Sequence, residues 1–339
     1  MKRIELLLTV CLVFIGHVGH SQTTLVRECK QRAFSKTVSA GNYSGITHID
    51  GNIYALVSDK SENDGFYIFS IVIDTLTGAI ADVKEIEFLG DSVCGGDCEG
   101  IVFRPSSSTF YICREKDSSI VEYGNDGKLT GKALSVPDIY KNITGNFGLE
   151  SLTYDEHKHL FWTINESTLP CDGAQATSTN GVKNMLRLQS FTDDLRPCAQ
   201  YAYMMDAPKA DSRSSKYAMG VSEITALGDG ALLVLEREFF VPRNKLGAFV
   251  QCNLYEVEPS KEFEVNDEMQ IDETICLPKH FICSFITKLK LFDWSLANYE
   301  GMCLGPILAD GSKVIILVSD SQNRHGGILK DWFKTIVVK

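Results

Sequence analysis

One unit recurs five times along this chain and limits what it can fold into. A small or acidic pair opens a short apolar strand, and a second apolar strand about fifteen residues later ends in an acid. The instances run from Ser44-Gly45-Ile46 to Asp59, Glu99-Gly100-Ile101 to Glu115, Glu150-Ser151-Leu152 to Glu166, Ser222-Glu223-Ile224 to Glu236, and Glu300-Gly301-Met302 to Asp320. Matching acids at matching strand ends point to a circular fold with a charged site at its centre.

Between the units, short β-rich runs such as Ile53–Val57, Phe66–Ile73 and Val314–Val318 alternate with Asp-Gly and Asn-Gly turn signals, and helical periodicity is scarce. The expected class is all-β. Radial repetition of antiparallel blades removes exposed sheet edges, so the architecture expected is a β-propeller. The openings at 45, 100, 151, 224 and 301 are 55, 51, 73 and 77 residues apart, and the first two spacings are blade-sized. Five clear units and one degenerate unit over about 319 residues predict six blades of roughly fifty residues, with five blades or a sandwich with elongated loops as the alternatives. Thr24–Val38 is expected to lend a strand to a final blade made with Leu329–Val338.

Residues 1–20 read as an export signal: Lys2 and Arg3 precede an apolar run too short to span a membrane as a mature helix. A lipidated Cys11 is the less favoured alternative, because Val10 is a poor residue before such a cysteine. Residues 21–339 then form a single secreted or periplasmic domain, with no further stretch apolar enough to cross a bilayer. The net charge of −11 argues against nucleic acid as a partner. Ten cysteines remain after Cys11. In an exported chain an even number favours disulfides, with Cys94–Cys98 and Cys171–Cys198 as candidate pairs.

Radial repetition brings Glu99, Glu150, Glu223 and Glu300 together at the channel mouth. Like charges this close must take up protons or hold a cation, and an all-oxygen set without histidine favours calcium. Ser44 leaves the ring incomplete. At the closing ends, Lys60, Arg114, Arg237 and Arg324 stand beside or near acids, as groups that grip a small anionic ligand or a phosphate ester. Glu236, Asp320 and His325 are the candidate acids and bases. No Gly-x-Ser-x-Gly elbow is present, so a covalent serine mechanism has no support. The competing readings are turn-capping carboxylates and ordinary surface ion pairs, which contribute little at a wet strand end.

Cys98-Glu99-Gly100-Ile101 followed by Arg114-Glu115, Gly148-Leu149-Glu150-Ser151-Leu152 followed by Asn165-Glu166, Gly220-Val221-Ser222-Glu223-Ile224 followed by Leu235-Glu236-Arg237, and Val318-Ser319-Asp320-Ser321-Gln322-Asn323 resemble a known family. It is the phytase-like family labelled as having esterase-like activity of phytase. The resemblance covers roughly residues 40 to 338 and implies an exported β-propeller that hydrolyses phosphate or other esters with calcium. Two other readings stay open. One is a noncatalytic propeller binding an anionic ligand, a glycan or a protein. The other is a calcium-dependent lactonase or esterase that uses a carboxylate and water.

Overall fold

A computed structural model describes residues 22–91, 97–115, 117–142 and 148–339. The export signal, the lipidation candidate Cys11 and Cys94 lie outside the described residues. Five antiparallel sheets follow one another around an axis. Blade 1 runs through Tyr43–Asp50, Ile53–Ser58, Asp64–Ile73 and Ile80–Asp91. Blade 2 runs through Cys98–Arg104, Thr109–Arg114, Ser119–Tyr123 and Leu129–Ala133. Blade 3 is built from Thr153–Asp155, Leu160–Ile164, Met185–Thr192 and Pro197–Met204. Blade 4 uses Ser214–Ala226, Leu232–Pro242, Phe249–Val257 and Lys279–Lys290.

Blade 5 takes Asn298–Ile307, Lys313–Asp320 and Trp332–Val338 from the C-terminal part of the chain and Leu25–Glu28 from the N-terminal part. Leu25 pairs with Val338 and Glu28 with Ile336. The N-terminal strand therefore closes the ring as expected, but it completes the fifth unit and founds no sixth. The propeller has five blades, not six. The surplus length that suggested a sixth lies inside blades 3 and 4. Strands there reach 13 and 11 residues, and the connection after Val257 sends Glu264–Val265 back to pair with the edge of blade 3.

The core explains why the ring closes at five. Five apolar clusters each lie between two neighbouring blades, and the last joins blade 5 to blade 1. The unbroken run Val314–Val318 shows how the sequence achieves this. Ile315 and Leu317 face blade 4, while Val314, Ile316 and Val318 face blade 1. A strand buried on both faces needs apolar residues at every position, not at alternate ones. Each such side chain contributes about 1.5–3 kcal/mol when removed from water. Asp50-Gly51-Asn52 turns between the first two strands of blade 1, and Gly51 takes φ = 53° there, where a β-carbon would strain the backbone.

The disulfide expectation is overturned. All nine cysteines among the described residues are free thiols, and six of them are buried among core side chains. Cys171 sits beside Asp172, which pairs with Arg187 where Met185–Thr192 begins. Cys198 opens the strand that starts at the other end of that blade, near Asp155 and Lys158. Cys171 and Cys198 are both exposed free thiols, so this candidate pair does not form. Among the described residues no helix is long and apolar enough to cross a membrane.

Candidate functional site

The first strands of successive blades touch one another around the axis, and their register sets the site. In blades 1, 4 and 5 the first hairpin carries one unpaired residue, a β-bulge, at Ser44, Ser222 and Glu300. Glu99 lies within the equivalent irregularity of blade 2. Facing each strand opening stands the end of the second strand. Asp59 N–H donates to Asn42 O, Glu115 N–H to Asp97 O, and Glu166 N–H to Gly148 O, while Arg237 pairs with Gly220 and Asp320 with Asn298. The opening row is thus Ser44, Glu99, Glu150, Ser222, Glu300. The closing row is Asp59, Glu115, Glu166, Arg237, Asp320.

All of these residues except Ser44 and Ser222 line one chamber of about 550 Å³ at the channel mouth. Seven carboxylates (Asp59, Glu99, Glu115, Glu150, Glu166, Glu300 and Asp320) share its wall with Arg237, Lys60, Lys216 and Asn298. Arg237 is only 5% exposed and ties two blades to its own. It donates through Nη2 to Glu166 Oε1 at 2.6 Å, and through Nη1 to Glu300 Oε1 at 2.6 Å and Asn298 Oδ1 at 2.9 Å. Lys60 Nζ meets Asp59 Oδ2 at the rim.

One arginine cannot neutralise so many acids, and their proton affinities rise. Burial, then repulsion from Glu166 and Asp59, pushes Glu115 up to about 7. Burial and the Asp320 charge push Glu300 to about 8, and burial pushes Asp320 to about 6. Glu99 and Glu150 also lie well above the usual carboxylate range, through burial first and then through neighbouring acids. Asp59 Oδ1 and Glu115 Oε1 are buried acceptors without a partner among the described residues.

Directly beneath the chamber the channel narrows at Gly45, Gly100, Ser151, Glu223 and Gly301. A β-carbon on Gly45 would stand 2.4 Å from the Glu99 carbonyl oxygen, and one on Gly100 2.8 Å from that of Glu150. The inner strands approach this closely only because those positions are glycine. Glu223 fills the waist. Its Oε1 accepts the N–H of Leu152 from the neighbouring blade 3 at 3.1 Å and that of the adjacent Ile224 at 3.0 Å. Burial raises its proton affinity well above the usual carboxylate range, while the backbone N–H groups it accepts act in the opposite sense. Glu223→Gln, which keeps the acceptor oxygen, is expected to change unfolding free energy by less than about 1 kcal/mol. Glu223→Ala, which strands two buried N–H groups and leaves a void, is expected to cost about 2–4 kcal/mol in urea unfolding.

The description "Phytase-like: Esterase-like activity of phytase" matches residues 38–322, spanning all five units. The chain belongs to this phytase-like family. No curated protein matches it. Among solved structures it is similar to streptogramin B lyase at 11% identity over 92% of this chain and 98% of that one, with a TM-score of 0.36. A member of the DUF4221 family from Bacteroides vulgatus is similar at 9% identity over 94% and 98%, with a TM-score of 0.41. The Dos1 propeller is similar at 10% identity over 86% and 69%, with a TM-score of 0.32.

The candidate residues read from the sequence separate in this phytase-like chain into those the chamber gathers and those it does not. Glu99, Glu150, Glu300, Asp320, Lys60 and Arg237 line it. Glu223 lies at the waist. Glu236 is buried at the boundary of blades 3 and 4, accepting Tyr203 Oη–H at 2.7 Å and Lys279 Nζ–H at 2.6 Å. Arg114 pairs with Asp64 at 3.2 Å, and Arg324 pairs with Asp331 while donating to Val38 O. His325 is exposed on the wall of a neighbouring cleft.

Both glutamates fall one residue out of register, and in a strand one residue turns a side chain to the opposite face. The signal was present in the sequence. Counting back two from Ile46, Ile101, Leu152, Ile224 and Met302 lands on Ser44, Glu99, Glu150, Ser222 and Glu300. Asp59, Glu115 and Glu166 carry the closing signal, the first two beside Lys60 and Arg114 and the third between Asn165 and Ser167. Asn298 was missed, although it precedes Glu300 as Asp97 precedes Glu99.

Proposed function

We propose that the acidic chamber is a calcium-dependent site for hydrolysing anionic esters. The observation that carries this reading is the gathering of seven carboxylates with one buried arginine in a single chamber, Asp59 and Glu115 keeping buried acceptor oxygens without a partner among the described residues. An all-oxygen donor set with excess negative charge suits calcium better than a transition metal. Among the described residues no three acids form a ready-made coordination shell, so Glu99, Glu150 and Glu300 would hold the ion together with neighbours drawn in from the closing row. When bound, the ion supplies charge neutralisation for the anionic ester and a more acidic water.

The chain's own groups account for the rest. Hydrolysis adds one water across the ester bond and leaves an acid and an alcohol, so a proton must be taken from the water and one given to the leaving oxygen. Asp320 and Glu115, raised to about 6 and about 7, exchange protons near neutral pH. Gln322 N–H donates to Asp320 Oδ1 at 2.6 Å and fixes its orientation. Arg237 is immobilised by Glu166 and Glu300 and supplies a fixed positive charge facing the chamber. Lys60, more than half exposed, reaches substrate from the rim.

Calorimetric titration with calcium and a panel of phosphate and carboxylate esters tests this. Saturable calcium binding and calcium-dependent product release are expected, each reduced at least tenfold by Glu99→Gln or Glu150→Gln. Absence of calcium binding at millimolar concentration, together with no hydrolysis across the panel, would sink the proposal.

A further inference from the structure

Beside the acidic chamber lies a second cleft of about 370 Å³ with the opposite character. Val241, Ala248, Leu289, Leu296, Ile328 and Leu329 supply its apolar wall. The two spaces share Ser215, Lys216, Phe239 and Gln322 as common lining, so one ligand can occupy both. The long strands of blade 4 create this arrangement. Ser214–Ala226 begins six residues before Gly220, the partner of the chamber residue Arg237, and its partner strand runs on past Arg237 to Pro242. The 322–329 turn of blade 5 forms the facing side, held by Arg324 N–H to Ser321 Oγ at 2.9 Å and by the Arg324–Asp331 pair. Just beyond Leu289, Leu291 and Phe292 stand exposed, Phe292 at 93%. A cavity of about 150 Å³ holds benzene, so this cleft has room for a medium-length alkyl chain or a small aromatic system.

We propose that this cleft seats the apolar part of the ester, so that the substrate is an amphiphile with an anionic ester head in the chamber. The proposal rests on the chamber reading above and narrows it. Lys245 and His325 also line the cleft, but a polyanionic sugar or inositol phosphate leaves the apolar wall of Val241, Leu289 and Leu329 uncovered, whereas a phosphate or carboxylate ester of an aliphatic or aromatic alcohol fills both spaces. Apolar enclosure with a few convergent polar groups is the usual form of a small-molecule site, and each buried methylene adds affinity by leaving water. Lys216 and Gln322, exposed on the shared wall, are placed to hydrogen-bond the junction between head and chain.

The test measures binding of ethyl phosphate and octyl phosphate with calcium, and of 1-octanol without it, to the full protein and to Leu289→Arg and Ile328→Arg. Leu289 and Ile328 line only the cleft, and Ile328 lies in a turn where a larger polar side chain is tolerated. Octyl phosphate is expected to bind at least tenfold more tightly than ethyl phosphate. Folded Leu289→Arg or Ile328→Arg should abolish that gain and the binding of 1-octanol, while leaving ethyl phosphate unchanged. Equal binding of the two phosphates, or a gain that survives both substitutions, overturns the amphiphile assignment and leaves the chamber reading standing. If neither phosphate responds to calcium, both fall, and binding of 1-octanol alone then marks an apolar pocket without a part in ester chemistry.

Discussion

Arg237→Met is expected to lower unfolding free energy by about 3–5 kcal/mol at pH 8 and by much less at pH 5.5. The guanidinium is 5% exposed and bonds Glu166 and Glu300 from two other blades at 2.6 Å each. Removing it leaves two carboxylates facing Glu150 and Asp320 with their principal counter-charge gone. At pH 8 these groups must stay ionised in a wall that excludes water, or take up protons against the bulk pH. At pH 5.5 Glu300, whose proton affinity already lies near 8 with the arginine present, is neutral, and the lost ion pair has less to compensate. Arg237→Lys should recover only part of the difference, because a single ammonium cannot reach Glu166, Glu300 and Asn298 in the way that a planar fork does. Urea unfolding of the three proteins at both pH values is the measurement. Equal losses at pH 5.5 and 8 would show that Arg237 acts through packing alone and that the chamber is not electrostatically strained.

The same arginine marks where sequence and structure part. The architecture was legible because strand and turn signals are local: Asp-Gly turns, β-branched runs and matched spacing each report on a few neighbouring residues. The number of blades was not. Chain length divided by a typical blade assumes equal blades, whereas here the 13-residue opening strand of blade 4 and the returning segment Glu264–Val265 absorb the surplus. The site was legible to within one residue. Glu99, Glu150, Glu300 and Asp320 all line the chamber, and a glycine or serine after each opening glutamate keeps that register visible in the sequence. Blade 4 breaks that pattern by putting Glu223 in the small-residue position and Ser222 in the acidic one. An acid is conspicuous in a sequence and a bulge is not, so the sequence pattern puts Glu223 and Glu236 in the rows that Ser222 and Arg237 occupy. The disulfide expectation failed for another reason. Cysteine counting assumes that thiols serve cross-linking, but Cys113, Cys252 and Cys303 here serve as small apolar core residues, each less than 9% exposed.

In calcium-free buffer the melting temperature is expected to fall as pH rises from 5.5 to 8.5, by roughly 5 °C or more. Glu115, Glu300 and Asp320 reach about 7, about 8 and about 6 in the folded protein, above the ordinary values they regain on unfolding. The folded state therefore holds more protons than the unfolded chain across that interval. Stability from this source is full below the unfolded values near 4, and it is lost as pH climbs through 6 to 8. Calcium should act in the opposite sense, because it binds the ionised carboxylates and competes with protons for them. At 5 mM it is expected to raise the melting temperature strongly at pH 8.5 and little at pH 5.5, so that the two pH curves converge. Glu300→Gln, which removes the most proton-hungry of the three, should flatten the calcium-free curve and weaken the calcium effect together. A calcium-free melting temperature that is level across the interval would mean that the acids are solvated well enough to ionise normally. Equal stabilisation by calcium at both pH values would place the ion somewhere other than this chamber.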